Sequence, residues 1–317
     1  MAFNSEPAAI AAPGAPRRKR WRTQSYKDHV SGYLYISPFF LLFGVFTVFP
    51  VLWSGYISFF SWNILGDRDF IGLQNYVWLI TDDPRFWKSV GNTFSIWVIS
   101  TVPQLFFALV IASILNSNVL RFKQFFRVGL FVPNVTSLVA VAIIFTSIFG
   151  YNYGLLNYVL NTLFGLENTD WGASYYGAQL VLSIMVMWRW TGYNAIIYLA
   201  ALQSIPNDLY EAATIDGASK VQQFFYVTIP MIRPMILFTV VMSTIGGMQL
   251  FVEPLLYQGN QGGSQGQVLT MVLYLYDTAF TKNSFGYASA IAWLMFLIII
   301  AFSFFNMYLT RKIQSAN

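Results

Sequence analysis

Cysteine is absent from the 317 residues, and histidine occurs once, at His29. Disulfides, iron–sulfur centres and thiolate–metal sites are thereby excluded, and so are paired-histidine motifs such as H-E-x-x-H. No lysine directly follows a glycine, so a G-x-x-x-x-G-K-[ST] phosphate loop cannot form. Charge is scarce as well. Asp, Glu, Lys and Arg make up 10% of residues against 56% hydrophobic, whereas a soluble domain carries about 25% charged residues. The apolar stretches hold no paired carboxylates, histidine cluster or Ser-His arrangement, which argues against a membrane-embedded enzyme. They also hold no carboxylate near a midplane and show no inverted repeat, which argues against a proton- or sodium-driven secondary transporter.

What remains is apolar length. Mean hydropathy is +0.54, and several runs exceed the roughly 20 residues that cross a bilayer as a helix. Six spans are expected, at about 33–60, 93–115, 128–149, 179–202, 235–257 and 287–309. Helices are required because irregular backbone facing lipid would leave its polar groups unsatisfied. The first span contains Pro38 and Pro50 and is long enough to tilt. The first 31 residues carry six of the eighteen Lys and Arg, including Arg17-Arg18-Lys19-Arg20, and no apolar core of signal-peptide length. The first span is therefore expected to be retained.

Charge also orients the chain. With the N-terminus inside, thirteen of the eighteen cations fall on the cytoplasmic side, four (Arg68, Arg85, Lys88 and Lys282) fall outside, and Arg189 lies within a span. That excess predicts both termini in the cytoplasm. It also accounts for the net charge of +5 without a nucleic-acid partner, because the cations sit beside spans. The outside segments, about 61–90, 150–178 and 258–286, carry Trp62, Trp78, Trp87 and Trp171, residues that commonly anchor a membrane interface. The expected organisation is all-α. A basic cytoplasmic tail covers 1–31, a polytopic domain of six transmembrane helices covers 32–310, and a cytoplasmic tail covers 311–317.

Between the fourth and fifth spans lies a polar island, 203–230. Pro206 suits a first helical turn, where its missing N–H costs nothing, and 207–215 reads as a short helix. Asp216-Gly217 interrupts it, glycine being the residue that most easily takes a left-handed stop. Ser219 with Gln222 three residues later fits a capping box for a second helix, and Pro230 and Pro234 punctuate the entry to the fifth span. Ala212, Ala213 and Ala218 let another surface approach closely, and Glu211 offers a carboxylate to a cation on that surface. The plainer reading is an amphipathic loop helix that only closes the inner face.

Glu211-Ala212-Ala213, Asp216-Gly217-Ala218 and Ile229-Pro230 together resemble the cytoplasmic EAA loop of ABC-type importers. Gly72-Leu73-Gln74-Asn75-Tyr76 with Asn92-Thr93, Gly154-Leu155-Leu156-Asn157 and Trp188-Arg189-Trp190-Thr191-Gly192-Tyr193-Asn194 extend the likeness, as does Leu202-Gln203-Ser204-Ile205-Pro206. It covers about 32–309 and is to binding-protein-dependent permeases, in the carbohydrate-importing subfamily with maltose-, lactose- and glycerol-phosphate-type subunits. The resemblance implies a type I ABC importer permease fold in a bacterial inner membrane. It implies a second homologous permease, two cytoplasmic ATPase subunits that hold ATP and Mg, and an extracytoplasmic solute-binding protein. No catalytic site, metal or cofactor is implied in this chain. The ATPase would dock on Glu211, Ala212, Ala213, Asp216 and Gly217. The implied cargo is a di- or oligosaccharide, with a phosphorylated polyol such as glycerol phosphate as the alternative. Two departures stand out. The segment Gln258-Gly259-Asn260-Gln261-Gly262-Gly263-Ser264 lacks the proline of the family's Thr-x-Gly-Gly-Pro-like turn, and the large outside insertion of the maltose-type subunit is missing.

Arg189 falls about ten residues into the fourth span, roughly 15 Å deep at about 1.5 Å per residue. A charge there costs at least a few kcal/mol unless it is paired or wet. Glu253 is the expected partner, with a depth offset of roughly 9 Å at the same helical rise that a water or ligand would bridge. Arg189, Asn194, Gln249 and Glu253 are candidates for a polar substrate path, with Trp188, Trp190 or Tyr198 stacking on sugar faces. The same groups would equally serve as a structural ion pair and packed aromatics. Gly246-Gly247 either breaks the fifth helix near a site or lets helices pack closely.

Overall fold

The computed structural model describes residues 19–63, 66, 68–117 and 120–315. Most of the expected basic tail, and the last two residues, lie outside them. The chain divides into two compact units, Met1–Ser54 and Gly55–Asn317. In the first, α1 (Lys19–Phe43) passes through a π-helical turn, Gly44–Val48, into α2 (Phe49–Ile57). Val30–Ile57 has the length and apolarity to cross a membrane, and Tyr33, Phe39, Phe46 and Phe49 stand exposed along it.

The second unit begins with a ribbon of two-residue strands, β1 (Phe60–Ser61) and β2 (Asp69–Phe70), the one exception to the all-α expectation among the described residues. Then come α3 (Gln74–Thr81), α4 (Pro84–Asn116), α5 (Lys123–Val135), α6 (Leu138–Ile148) and α7 (Leu155–Phe164). They are followed by α8 (Tyr175–Gln203), α9 (Asn207–Ile215), α10 (Lys220–Gln223), α11 (Ile229–Met248), α12 (Val252–Gln258), α13 (Met271–Tyr276) and α14 (Phe285–Ser315). Four stretches of this unit are long and apolar enough to span: Pro84–Asn116, Tyr175–Gln203, Lys220–Met248 and Phe285–Tyr308.

Two expected spans are corrected. The third is not a straight helix over 128–149, because α5 and α6 meet at 95°. Pro133 removes an interior N–H from the last turn of α5, and Thr136 and Ser137 take extended backbone, with ψ 141° and 132°. Counting this bent pair as one crossing gives six spans, otherwise five. The fifth was expected at 235–257, but the helix runs from Lys220 to Met248. Pro230 does not interrupt it because a π-helical turn, Phe224–Thr228, precedes it, and the Ile229 N–H reaches the Phe224 carbonyl. The same device precedes Pro50, where the Phe49 N–H reaches the Gly44 carbonyl. In both places the wide turn ends two residues before a proline, so the ring needs no room beneath a carbonyl four residues back.

α4 and α8 form the centre of the second unit and run parallel. Near one end Ile96, Leu182, Met185 and Val186 share a buried cluster with Val141 and Phe145 of α6. Towards the other end Ala108, Ala112, Ala195, Tyr198 and Leu202 pack with Ile232 of α11. α5 closes on α8 at Gly192, where a Cβ would lie 1.7 Å from the Leu130 carbonyl oxygen. Only a residue without a side chain permits that approach.

The expected outside segments are structured. Asn157 is 2% exposed; its amide donates to the carbonyls of Gly150, Tyr151 and Thr169, and its oxygen accepts from the Trp171 indole at 2.9 Å. Asp83 caps α4 and accepts from the hydroxyls of Tyr274 at 2.5 Å and Tyr287 at 2.7 Å. Burial, then the Asp83 carboxylate, holds the Tyr274 phenol above its ordinary pKa, so it stays a donor at neutral pH.

Replacing Gly192 by Val should cost at least about 2 kcal/mol through overpacking, seen as a lower midpoint of thermal unfolding for the detergent-extracted protein. Gly129→Val, where a Cβ meets nothing within 4 Å, should leave that midpoint near the wild-type value.

Candidate functional site

The polar island folds into a tight corner. Pro206 occupies the cap of α9, with ψ 135°, one residue before the helical turn in which it was expected. At the far end of α9 the N–H of Gly217 bonds the Thr214 carbonyl at 3.0 Å and that of Ala218 bonds the Ala213 carbonyl at 2.9 Å. This is a Schellman stop. Gly217 has φ +80°, a left-handed conformation in which a side chain is strained. Ser219 then caps α10 reciprocally: its hydroxyl accepts from the Gln222 N–H at 3.3 Å, and its own N–H donates to the Gln222 side chain at 2.8 Å.

The corner is closed from within by Gln223, which is buried. Its amide donates to the Thr214 hydroxyl at 2.9 Å and to the Ala218 carbonyl at 3.1 Å. The Tyr210 and Thr228 hydroxyls bond at 2.9 Å and tie α9 to the π-helical turn that leads into α11. Glu211, Ala212, Asp216 and Gly217 are exposed and Ala213 is half-buried. Among the described residues neither Glu211 nor Asp216 takes part in an ion pair. Ile215 is 87% exposed, with Val221, Phe225 and Tyr226 also open. An apolar surface of this kind with free carboxylates beside it is the composition of a docking site.

α11 connects this corner to a cavity. A space of about 290 Å³ opens between α4, α8 and α11, lined by Thr101 and Gln104, Trp190 and Asn194, and Thr239 and Ser243, with Gly246 and Gly247 at its edge. Gln104 reaches the Ser243 hydroxyl at 3.5 Å. Of the candidate path residues, Trp190 and Asn194 line it and the others do not. Tyr198 is 1% exposed and its hydroxyl bonds Thr239 at 2.6 Å. Trp188 packs on Phe145, ring centres 5.9 Å apart. Gln249 is exposed in the break that ends α11.

Arg189 and Glu253 meet directly, N to O at 2.9 Å, which corrects the expected intervening water or ligand. The physical reason is the break after Met248, which carries Glu253 onto α12 and down to the level of Arg189. The guanidinium also lies over the Trp190 ring, 5.3 Å from its centre. Gly246-Gly247 does both things foreseen for it: α11 ends one residue later, and a Cβ on Gly247 would meet the Trp97 ring at 2.5 Å.

Thr101, Gln104, Thr239 and Ser243 were missed. Their signal was faint but present, as uncharged polar pairs three or four residues apart on one face of an otherwise apolar span. No group of three or more His, Asp or Glu side chains among the described residues could hold a metal.

Residues 83–315 match the family described as "Binding-protein-dependent transport system inner membrane component". The chain is 38% identical over 288 residues to the lactose transport system permease protein of Rhizobium radiobacter, covering 89% of this chain and 95% of that one. It is 34% identical over 309 residues to the arabinooligosaccharides transport system permease protein of Bacillus subtilis, covering 95% of both. A solved bacterial ABC transporter involved in import of the acidic polysaccharide alginate shares the fold, with TM-score 0.79 and 21% identity over 93% of this chain and 99% of that one. These matches describe a membrane-spanning transport component and not an enzyme. The chain belongs to the family of binding-protein-dependent transport system inner membrane components.

Proposed function

We propose that this chain is a permease subunit of an ATP-driven importer and moves a di- or oligosaccharide into the cytoplasm. The corner at Glu211–Gly217 would receive an ATPase subunit, a second homologous permease would complete the channel, and a solute-binding protein would deliver cargo at the opposite face. ATP and Mg would sit on the ATPase pair. Both termini and the corner would face the cytoplasm, in line with the excess of Lys and Arg on that side.

The observation that carries the reading is mechanical. The exposed corner is bonded by Gln223 and Thr228 to the start of the helix whose other end lines the cavity. Closure of the ATPases would push Glu211, Ile215 and Asp216 as one body and move α11 against α4 and α8. That is the discrete, packed rearrangement which alternating access needs. The alanines admit the partner closely, and Glu211 gives it an anion to grip.

The cavity favours a neutral polyol over a phosphorylated one. It offers amides and hydroxyls from Gln104, Asn194, Thr239 and Ser243 and the Trp190 ring, with no cation among its lining residues. Arg189, the cation an anionic cargo would need, is already engaged by Glu253. At about 290 Å³ the space lies at the small end of ligand sites, which run about 300–1,000 Å³. Lactose and arabinooligosaccharides in the names of two relatives agree with this choice.

Glu211→Lys or Gly217→Asp should lower uptake at least about tenfold, the effect of losing about 1.4 kcal/mol of coupling, while immunoblots find normal amounts in the membrane; normal uptake by both would remove the docking role. Separately, Asn194→Ala and Gln104→Ala should each slow entry of radiolabelled sugar about tenfold in cells with an intact companion set. Unimpaired entry in both would place the cargo path elsewhere.

A further inference from the structure

The segment joining α12 to α13 is rich in glycine, and Gly259, Gly262, Gly263 and Gly266 all have positive φ. Glycine has more backbone freedom to lose on ordering than any other residue, so composition alone describes a floppy linker. The structure describes the opposite. Asn92, on α4 and fully buried, donates to the carbonyls of Gly266 at 2.8 Å and Leu269 at 3.1 Å. Its oxygen accepts from the Tyr175 hydroxyl at 2.5 Å and the Gln179 amide at 3.0 Å. Gln179, 1% exposed, also donates to the Gln267 carbonyl at 3.1 Å. Gln267, 0% exposed, turns back on its own loop: its oxygen accepts the Gln265 N–H and its amide donates to the Ala173 carbonyl, both at 3.1 Å. The Lys88 ammonium donates to the Gln265 carbonyl, and Gln258 donates to Gly172 at 3.2 Å.

A polar network that only joined α4 to α8 would bond helix to helix. This one ends on loop carbonyls, and it leaves the side chains of Gln261, Ser264 and Gln265 facing outward. It also stands at the starts of α4 and α8, whereas the docking corner follows the end of α8. The turn is therefore a fixed polar surface at the end of the second unit remote from the corner.

We propose that Asn92, Gln179 and Gln267 are positioning residues for delivery of cargo: they hold 259–267 as a preformed docking surface for the solute-binding protein. This rests on the importer reading above. A surface ordered before contact loses little conformational freedom when the partner arrives, so affinity is kept. Because the outward groups are amides and a hydroxyl, the matching surface on the binding protein recognises them through hydrogen bonds and not through charge.

The test uses the whole complex in proteoliposomes, with companion permease, ATPase pair and cognate binding protein, titrating sugar-loaded binding protein and reading ATP hydrolysis. Gln267→Ala cuts two pins inside the loop and touches no helix-to-helix bond. It should raise the half-saturating concentration about tenfold while the saturating rate stays within about twofold. Asn92→Ala should raise it further, and amide hydrogen exchange over 259–267 should quicken in Gln267→Ala. An unchanged half-saturating concentration in Gln267→Ala, whether or not the saturating rate falls, overturns the proposal, since the residues then merely support the fold. If the wild-type complex shows no stimulation at any concentration, the importer reading itself fails, and that result is distinct from either mutant outcome.

Discussion

A single buried amide governs the account. Gln223 sits inside the corner between α9 and α10 and donates both to a side chain before the glycine stop and to a carbonyl after it. Left unmade, such bonds would strand a buried polar group at a cost of about 1–3 kcal/mol. The corner therefore moves as a body. Because α10 runs without a break through the π-helical turn into α11, displacement of Ile215 or Asp216 has a stiff route to the cavity wall. A flexible joint anywhere between residues 216 and 229 would dissipate it.

The π-helical turns serve the same rigidity. Proline normally ends a helix because it lacks a donor and its ring collides with a carbonyl one turn back. At Pro50 and Pro230 the preceding wide turn opens that space, and the helix continues. Where no such turn precedes, at Pro133, the helix stops two residues later and the chain bends by 95°. The contrast gives proline two opposite meanings in one chain, decided by the five residues before it. The second unit thus has two continuous long helices, α4 and α8, one long helix reaching into the corner, and one broken crossing.

How much of this could be read from residues alone follows from the range of each interaction. The glycine stop at Gly217 and the reciprocal cap of Ser219 and Gln222 were legible because every partner lies within five residues. The apolar runs gave the second, fourth and sixth spans for the same reason. Pro206 was placed one position late, which the rule for first-turn prolines cannot resolve. The course of α11 was misread because Pro230 and Pro234 look like stops. The Arg189–Glu253 contact followed that error, since Glu253 was assigned to a straight helix. The cavity and the pinned loop were invisible, because Gln104 meets Ser243 and Asn92 meets Leu269 across 139 and 177 residues. No local pattern announces such pairs, and uncharged amides in an apolar run read as noise.

The central claim is that the corner faces the cytoplasm while the pinned glycine turn faces the delivering side. A chain without native cysteine lets one introduced thiol report on its own surroundings. Ile215→Cys and Ser264→Cys, each made separately and treated in whole cells with a membrane-impermeant maleimide, decide it. The account predicts that position 264 is labelled on intact cells and position 215 only after permeabilisation. Labelling of 215 on intact cells, or protection of 264 until the membrane is opened, would contradict it.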